Sequence, residues 1–242
     1  MDVIPPSRVL IYGHGSGELG NDLNSRPSFV AARQSGADGV ELDVRRTADD
    51  QLVAIHDHHL PDGREIASTR SAHLPDEVAR LEEILDICAG LIVNIEIKNF
   101  PSDPAFDPSE RVSELVVDML EQRQFADTVI VSSFGLACID RVRARQPALS
   151  TAALLLSRRP PEQILDPVVA HGHRIVHPYD TMVTPAFMAA ARDRSLEVNV
   201  WLGDDESTER IEELVKLGVD GIITSAPEQA RRVVADRHDG NS

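Results

Sequence analysis

The stretch GVELDVRRTADDQLVAIHD, residues 39–57, decides which fold the rest of the chain can form. It contains two strand-like runs, Gly39–Val44 and Leu52–His56, in which polar and apolar residues alternate. The link between them, residues 45–51, is too short for a helical crossover between parallel strands, and its TADD segment is typical of a tight turn. We therefore predict one antiparallel hairpin over residues 39–56.

Short β-branched runs and longer amphipathic runs alternate along the rest of the chain, which predicts parallel strands covered by helices. The other predicted strands are Val9–Gly13, Leu91–Lys98, Thr128–Ser133, Ser150–Leu156, Arg174–His177, Glu197–Trp201 and Gly221–Thr224. The predicted helices are Ser28–Ser35, Asp76–Ala89, Pro108–Gln124, Leu136–Arg145, Pro161–Ala170, Thr184–Arg194, Glu206–Leu217 and Pro227–Asp236. With the hairpin counted as an extension of one strand, these elements predict an eight-stranded (β/α)₈ TIM barrel. The hairpin would project from the mouth where such barrels hold their active sites.

We further predict that the hairpin turn is centred between residues 48 and 49. His56 then lies opposite Glu41. Asp43 lies opposite Ala54 in the same register. Because alternate residues of a strand share a face, Glu41, Asp43 and His56 would point to the same side.

The composition does not shift along the chain, which predicts a single domain over residues 1–242. Twenty-four basic and 40 acidic residues give a net charge of −16, which disfavours nucleic-acid and membrane-surface partners. Cys88 and Cys138 have apolar neighbours and no metal-binding spacing, so we expect buried thiols rather than a disulfide. The N-terminal residues show no signal-peptide pattern, and we expect a cytoplasmic location.

Carboxylates interrupt two strands that are otherwise apolar. Glu41 and Asp43 leave the same face of their strand, and Glu96 alternates with Asn94 and Lys98 in NIEIK. Burying unpaired carboxylates is costly, so a bound cation is the simplest compensation. Oxygen ligands alone favour one hard divalent ion, Mg²⁺ or Ca²⁺. The alternative is a charged network with Lys98 and nearby arginines.

A histidine and several glycines follow the first strand, in VLIYGHGSGELG. His14 stands where the strand ends, and the glycines at 13, 15, 17 and 20 permit a tight turn with exposed N–H groups. Such a turn can cradle an anion. A plain turn without any ligand is the alternative interpretation.

In their order, these motifs resemble the glycerophosphodiester phosphodiesterase family of metal-dependent TIM barrels. The matching pieces are the histidine that closes the first strand, NDLNSRPSFVAARQSGADGVELDVRRTADDQLVAIHD (residues 21–57), NIEIK (94–98), VIVSSF (129–134), a late tryptophan strand and GVDGIITSAPE (218–228). The resemblance covers roughly residues 8–235. It implies metal-dependent hydrolysis of glycerophosphodiesters to an alcohol and glycerol phosphate.

The resemblance also implies a role for individual residues. The implied metal ligands are Glu41, Asp43 and Glu96, and the implied general acid and base are His14 and His56. The implied substrate contacts are Lys98 beside the phosphate, and Phe134 and Trp201. For the histidines the alternative is a structural role, and for Lys98 it is a charge partner of Glu96.

Some positions depart from the family pattern. The most consequential is Gly15, because the family has an arginine directly after its first histidine, and that guanidinium could hold a phosphate oxygen. Arg26 and Arg64 are candidates for replacing this contact. Gly15 leaves open a catalytically weakened barrel that serves as a binding protein. Within the resemblance, a phospholipase-D-like phosphodiesterase that acts on lysophospholipids is a second alternative.

Overall fold

In the computed structural model, which describes residues 8–15, 24–123 and 128–239, ten strands form one sheet. The strands are β1 (Leu10–His14), β2 (Gly39–Arg46), β3 (Leu52–Ala54), β4 (Ala79–Arg80), β5 (Ile92–Ile97), β6 (Val129–Ser133), β7 (Ser150–Leu155), β8 (Ile175–Pro178), β9 (Glu197–Trp201) and β10 (Gly221–Thr224). All except β3 and β4 pair in parallel, and β1 pairs with both β10 and β2, which closes the barrel. The predicted eight-stranded TIM barrel is confirmed.

Helices follow the barrel strands and cover the outside. They are α1 (Arg26–Gln34), α2 (Leu81–Ile87), α3 (Arg111–Arg123), α4 (Leu136–Arg145), α5 (Pro161–Ala170), α6 (Pro185–Asp193), α7 (Thr208–Leu217) and α8 (Pro227–Asp239). Their apolar faces pack on the outward residues of the strands; in β2 these are Val40, Leu42 and Val44, which are fully buried. The alternate residues of β2 therefore face the barrel interior.

Local capping sets several helix ends. The hydroxyl groups of Ser25, Thr184 and Ser207 accept hydrogen bonds from the first turns of α1, α6 and α7. Gly218 ends α7 with a φ of 77°, a conformation that costs glycine least. Among the helices described, none is long and apolar enough to cross a membrane. Cys88 and Cys138 are free and buried, as predicted.

The hairpin forms as predicted, but the predicted register is wrong by one residue. Val44 pairs with Ala54, and the Ile55 N–H donates to the Asp43 carbonyl, so Asp43 lies opposite residue 55 rather than 54. The cause is an odd-numbered loop: the Thr47 N–H donates to the Gln51 carbonyl. Inside the loop, residue 50 adopts a φ of 59°.

A slip of one residue would turn His56 away from the carboxylates if β3 continued. It does not, because β3 ends at Ala54 and His56 lies in irregular backbone beyond it. The helix predicted over residues 76–89 is also too long. Its first part forms the two-residue strand β4, which pairs with β3, and the helix begins only at Leu81.

Candidate active site

All eight residues predicted for the site line one cavity of about 530 Å³ at the carboxyl end of the barrel. The predicted residues are His14, Glu41, Asp43, His56, Glu96, Lys98, Phe134 and Trp201. Asn94, Leu154 and Ile223 complete the lining. The structure therefore brings all eight predicted residues together in one cavity, and the role of each stays a prediction.

Three carboxylates form the centre of the cavity floor. Glu41 and Asp43 alternate along β2, and the parallel pairing with β5 places Glu96 directly beside Asp43. The ligand atoms of the three lie within 4.8 Å of one another. All three residues are buried, with relative exposures of 3%, 4% and 6%.

One ammonium group contacts two of these three carboxylates. Lys98 Nζ lies 3.1 Å from Asp43 Oδ1 and 2.8 Å from Glu96 Oε1. Burial raises the pKa of Glu41 well above its usual range, and the charges of Asp43 and Glu96 raise it further. Burial and the Asp43 charge also raise the pKa of Glu96 to about 7, against the opposing effect of Lys98. The site is therefore short of positive charge.

Asp43 is held differently from its neighbours. Burial alone would raise its pKa, but Lys98, His56 and a hydrogen bond from Asn24 outweigh burial and lower the pKa. Asn24 Nδ2 donates to Asp43 Oδ2 at 2.8 Å, and Asn24 Oδ1 accepts from the Asp43 main-chain N–H at 2.9 Å. Asn24 thus orients both the main chain and the carboxylate of Asp43, a role that sequence reasoning missed.

Two imidazoles reach the cavity from different elements. His14 ends β1, and its Nε2 lies 3.7 Å from Glu41 Oε2. Burial lowers the pKa of His14 against the opposing charges of Asp43 and Glu206. His56 is more exposed, and its Nδ1 lies 2.9 Å from Asp57 Oδ1.

Aromatic rings form one wall at the mouth. The ring centroids of Phe134 and Trp201 lie 6.2 Å apart, Tyr179 packs 4.5 Å from Trp201, and Phe100 lies 5.5 Å from Phe134. Trp201 Nε1 donates to the His177 carbonyl at 3.1 Å, which fixes the indole. The wall can therefore pack against an apolar part of a substrate.

Neither candidate replacement for the family arginine contributes to the cavity lining. Arg26 binds Glu83 at 2.6 Å and the Asp76 carbonyl, because α1 packs beside α2. Arg64 binds Asp62 and the His73 carbonyl within its own loop. Both side chains bind acidic groups away from the cavity, so neither replaces the family arginine there. Most of the predicted glycine-rich loop, residues 16–23, lies outside the described residues.

Comparisons with known proteins agree with this arrangement. The sequence profile of the glycerophosphoryl diester phosphodiesterase family matches residues 16–68 and 61–229, which is most of the chain. The chain belongs to the glycerophosphoryl diester phosphodiesterase family. Membership makes it an enzyme, a phosphoric diester hydrolase, rather than the binding protein kept open above.

Individual members of the glycerophosphoryl diester phosphodiesterase family align over nearly their whole length. A glycerophosphodiester phosphodiesterase from Bacillus altitudinis is 26% identical over 251 residues, which cover 92% of this chain and 97% of that protein. The crystal structure of a glycerophosphodiester phosphodiesterase from Parabacteroides distasonis has a TM-score of 0.82 at 23% identity, over 96% of this chain and 99% of the other. A phosphodiesterase from Oleispira antarctica, solved in complex with the product sn-glycerol-3-phosphate, has a TM-score of 0.83 at 18% identity, over 94% and 97% of the two chains. The two structures share the fold of this chain.

Proposed function

We propose that the chain hydrolyses glycerophosphodiesters to an alcohol and glycerol phosphate, and that one divalent cation, Mg²⁺ or Ca²⁺, is required. The observation that carries the proposal is the group of three buried carboxylates, of which only Asp43 and Glu96 contact Lys98. The product complex of the Oleispira antarctica relative supports glycerol phosphate as the product class.

The donor set fits a hard cation. Among the residues described, neither carboxylate oxygen of Glu41 has a hydrogen-bond partner, and both are buried. An ionised group in that position needs a positive partner. Glu41, Asp43 and Glu96 offer only oxygen ligands, which Mg²⁺ and Ca²⁺ prefer. The two positive charges of such a cation would balance the two carboxylate charges that Lys98 leaves unneutralised.

The bound cation would supply Lewis-acid stabilisation of charge that develops on the phosphoryl oxygens. The protein's own groups do the rest. One of His14 and His56 accepts the proton of the attacking hydroxyl group, which belongs to water or to the glycerol of the substrate. In the second case the alcohol leaves as a cyclic phosphate forms, and water then opens this ring to give glycerol phosphate. The other imidazole donates a proton to the oxygen of the leaving alcohol. An imidazole suits both tasks because its ordinary pKa lies near neutrality.

Substrate binding is proposed for three further residues. Lys98 faces the cavity and can contact a nonbridging phosphate oxygen. This contact would partly replace the one made by the family arginine, whose position Gly15 occupies in this chain. Phe134 and Trp201 can pack against the carbon atoms of the glycerol. A small-molecule substrate, a single domain over residues 1–242 and a cytoplasmic location stay predictions; the unbroken sheet from β1 to β10 supports the single domain.

The test is hydrolysis of glycerophosphocholine with and without excess EDTA, followed by ³¹P NMR of the products. We expect glycerol phosphate and choline in the presence of Mg²⁺ or Ca²⁺ and no product with EDTA. His14→Ala and His56→Ala should each lower kcat by about 10²–10⁴-fold, the usual contribution of one acid–base group. His171→Ala, at the exposed end of α5, is the matched control and should leave kcat unchanged.

Two results would overturn the proposal: full hydrolysis in EDTA, or unchanged kcat in both active-site histidine variants. Lysophosphatidylcholine serves as a second substrate in the same assay. Faster turnover of lysophosphatidylcholine than of glycerophosphocholine would favour the lysophospholipase D-like alternative.

A further inference from the structure

A buried arginine lies behind two of the residues named above. Arg45 Nε donates to the main-chain carbonyl of His56 at 2.8 Å, and Arg45 Nη1 donates to the carbonyl of Lys98 at 3.4 Å. The same guanidinium makes a bidentate pair with Asp103, with distances of 3.1 Å and 2.7 Å. The side chains of Arg45 and Asp103 are only 8% and 5% exposed.

The position of Arg45 follows from the strand that carries the carboxylates. Glu41, Asp43 and Arg45 occupy alternate positions of β2, so all three leave the same face. β2 continues past the barrel into the hairpin, and this carries Arg45 to the level where β5 ends and Lys98 follows. Asp103 lies in the loop after β5 and meets the guanidinium there.

The segment that presents His56 depends on few contacts. It is irregular backbone beyond the end of β3. The Ile55 N–H donates to the Asp43 carbonyl, and the His58 carbonyl accepts from Ile66. Between these two points, the Arg45 bond holds the main chain of His56 itself. The planar guanidinium holds its N–H donors in a rigid fork, whereas the three donors of an ammonium group rotate on a flexible stem.

We propose that Arg45 is a positioning residue for phosphodiester hydrolysis, which holds His56 and Lys98 in their catalytic places through their main-chain carbonyls. The inference rests on the proposed function, because it takes the roles of His56 and Lys98 from it. Asp103 neutralises the buried guanidinium and orients it. Although Arg45 leaves the same face of β2 as Glu41 and Asp43, it lies beyond the cavity and is not among the residues that line it.

If the Arg45–Asp103 ion pair had a purely structural role, the expected results would differ. Replacing a whole buried pair by uncharged groups is often neutral for stability, whereas removing one partner leaves a buried charge and destabilises. If Arg45 served stability alone, activity would follow stability through any set of variants. If Arg45 positions His56, activity follows the presence of the guanidinium instead.

The experiment compares four variants at saturating Mg²⁺ or Ca²⁺ by urea unfolding and by kcat and KM on glycerophosphocholine. The double variant Arg45→Met/Asp103→Asn removes both charges, and Asp103→Asn alone keeps the guanidinium. Arg45→Lys keeps the positive charge but loses the planar arrangement of N–H donors. Arg46→Met is the matched control, because Arg46 lies in the same hairpin and pairs with Asp50, away from His56.

We expect the double variant and Arg45→Lys to retain near wild-type stability while kcat falls about 10–100-fold, the usual cost of a misplaced catalytic group. Asp103→Asn should lose stability but keep more of its kcat than the double variant. Arg46→Met should keep kcat. Recovery of kcat together with stability in the double variant would overturn the inference.

Failure of the proposed function is distinguishable from failure of this inference. If the wild-type chain does not hydrolyse glycerophosphocholine, amide hydrogen exchange over residues 55–58 provides an activity-independent readout. The positioning role predicts faster exchange in the stable double variant than in the wild type or Arg46→Met. Unchanged exchange there would reject it.

Discussion

Removing the side chain of Asn24 tests how the carboxylate centre is built. Asn24 is buried, adopts a φ of 61°, and makes two hydrogen bonds to Asp43, one of them to a carboxylate. Asn24→Gly removes both bonds but accepts the positive φ. From about 1.5–3 kcal/mol for a bond to a charged group and about 0.5–1.5 kcal/mol for a neutral one, we expect a loss of about 2–4 kcal/mol. Asn24→Ala should lose about 1–2 kcal/mol more, because alanine resists the left-handed conformation.

The assay is urea unfolding of both variants without metal, combined with calorimetric titration of Ca²⁺ or Mg²⁺. Because Asn24 orients a proposed ligand, the affinity for the cation should fall by about 10–100-fold in both variants. Equal stability of Asn24→Gly and wild type, together with unchanged cation affinity, would refute this account of Asp43. A difference between the glycine and alanine variants in stability alone isolates the backbone contribution.

Two further predictions concern residues beside the cavity. Burial lowers the pKa of His177 from its ordinary value of 6.5 to about 3. When the pH falls below 6.5, the unfolded chain therefore binds a proton that the folded chain excludes. The free energy of unfolding should therefore fall by about 2 kcal/mol, on account of His177, as the pH drops from about 7 to 5. Urea titrations at the two pH values should show that His177→Leu lacks this part of the fall. An identical fall in the variant would contradict the lowered pKa of His177. At the mouth, a Cβ at Gly203 would overlap the ring of Tyr179, which packs on Trp201. Gly203→Ala should raise KM for glycerophosphocholine more than it lowers kcat, and unchanged KM would speak against substrate packing on this wall.

The barrel was predictable because its strands are short, apolar and regularly spaced. Glu197–Trp201 and Gly221–Thr224 form strands with the predicted bounds. The hairpin register was not predictable from alternation, because it depends on residue 50 taking a positive φ in an odd-numbered loop. The strand β4 was missed because two residues carry no periodic signal.

The cluster of three carboxylates was predictable for a similar reason. Alternation places Glu41 and Asp43 on one face, and the sheet order then brings Glu96 beside them. Asn24 and Arg45 were missed because their roles depend on where a side chain ends in space. In the sequence, Asn24 resembles a turn residue and Arg45 a solvated hairpin residue.

The most direct test of the carboxylate centre is a calorimetric titration of metal-free protein with Mg²⁺ and Ca²⁺. We predict one bound ion per chain, and loss of binding in Glu41→Gln and Glu96→Gln with the fold retained. Glu162→Gln, at an exposed position of α5, should bind like the wild type. Undiminished binding in both active-site variants, or no binding to the wild type at all, would contradict the central claim.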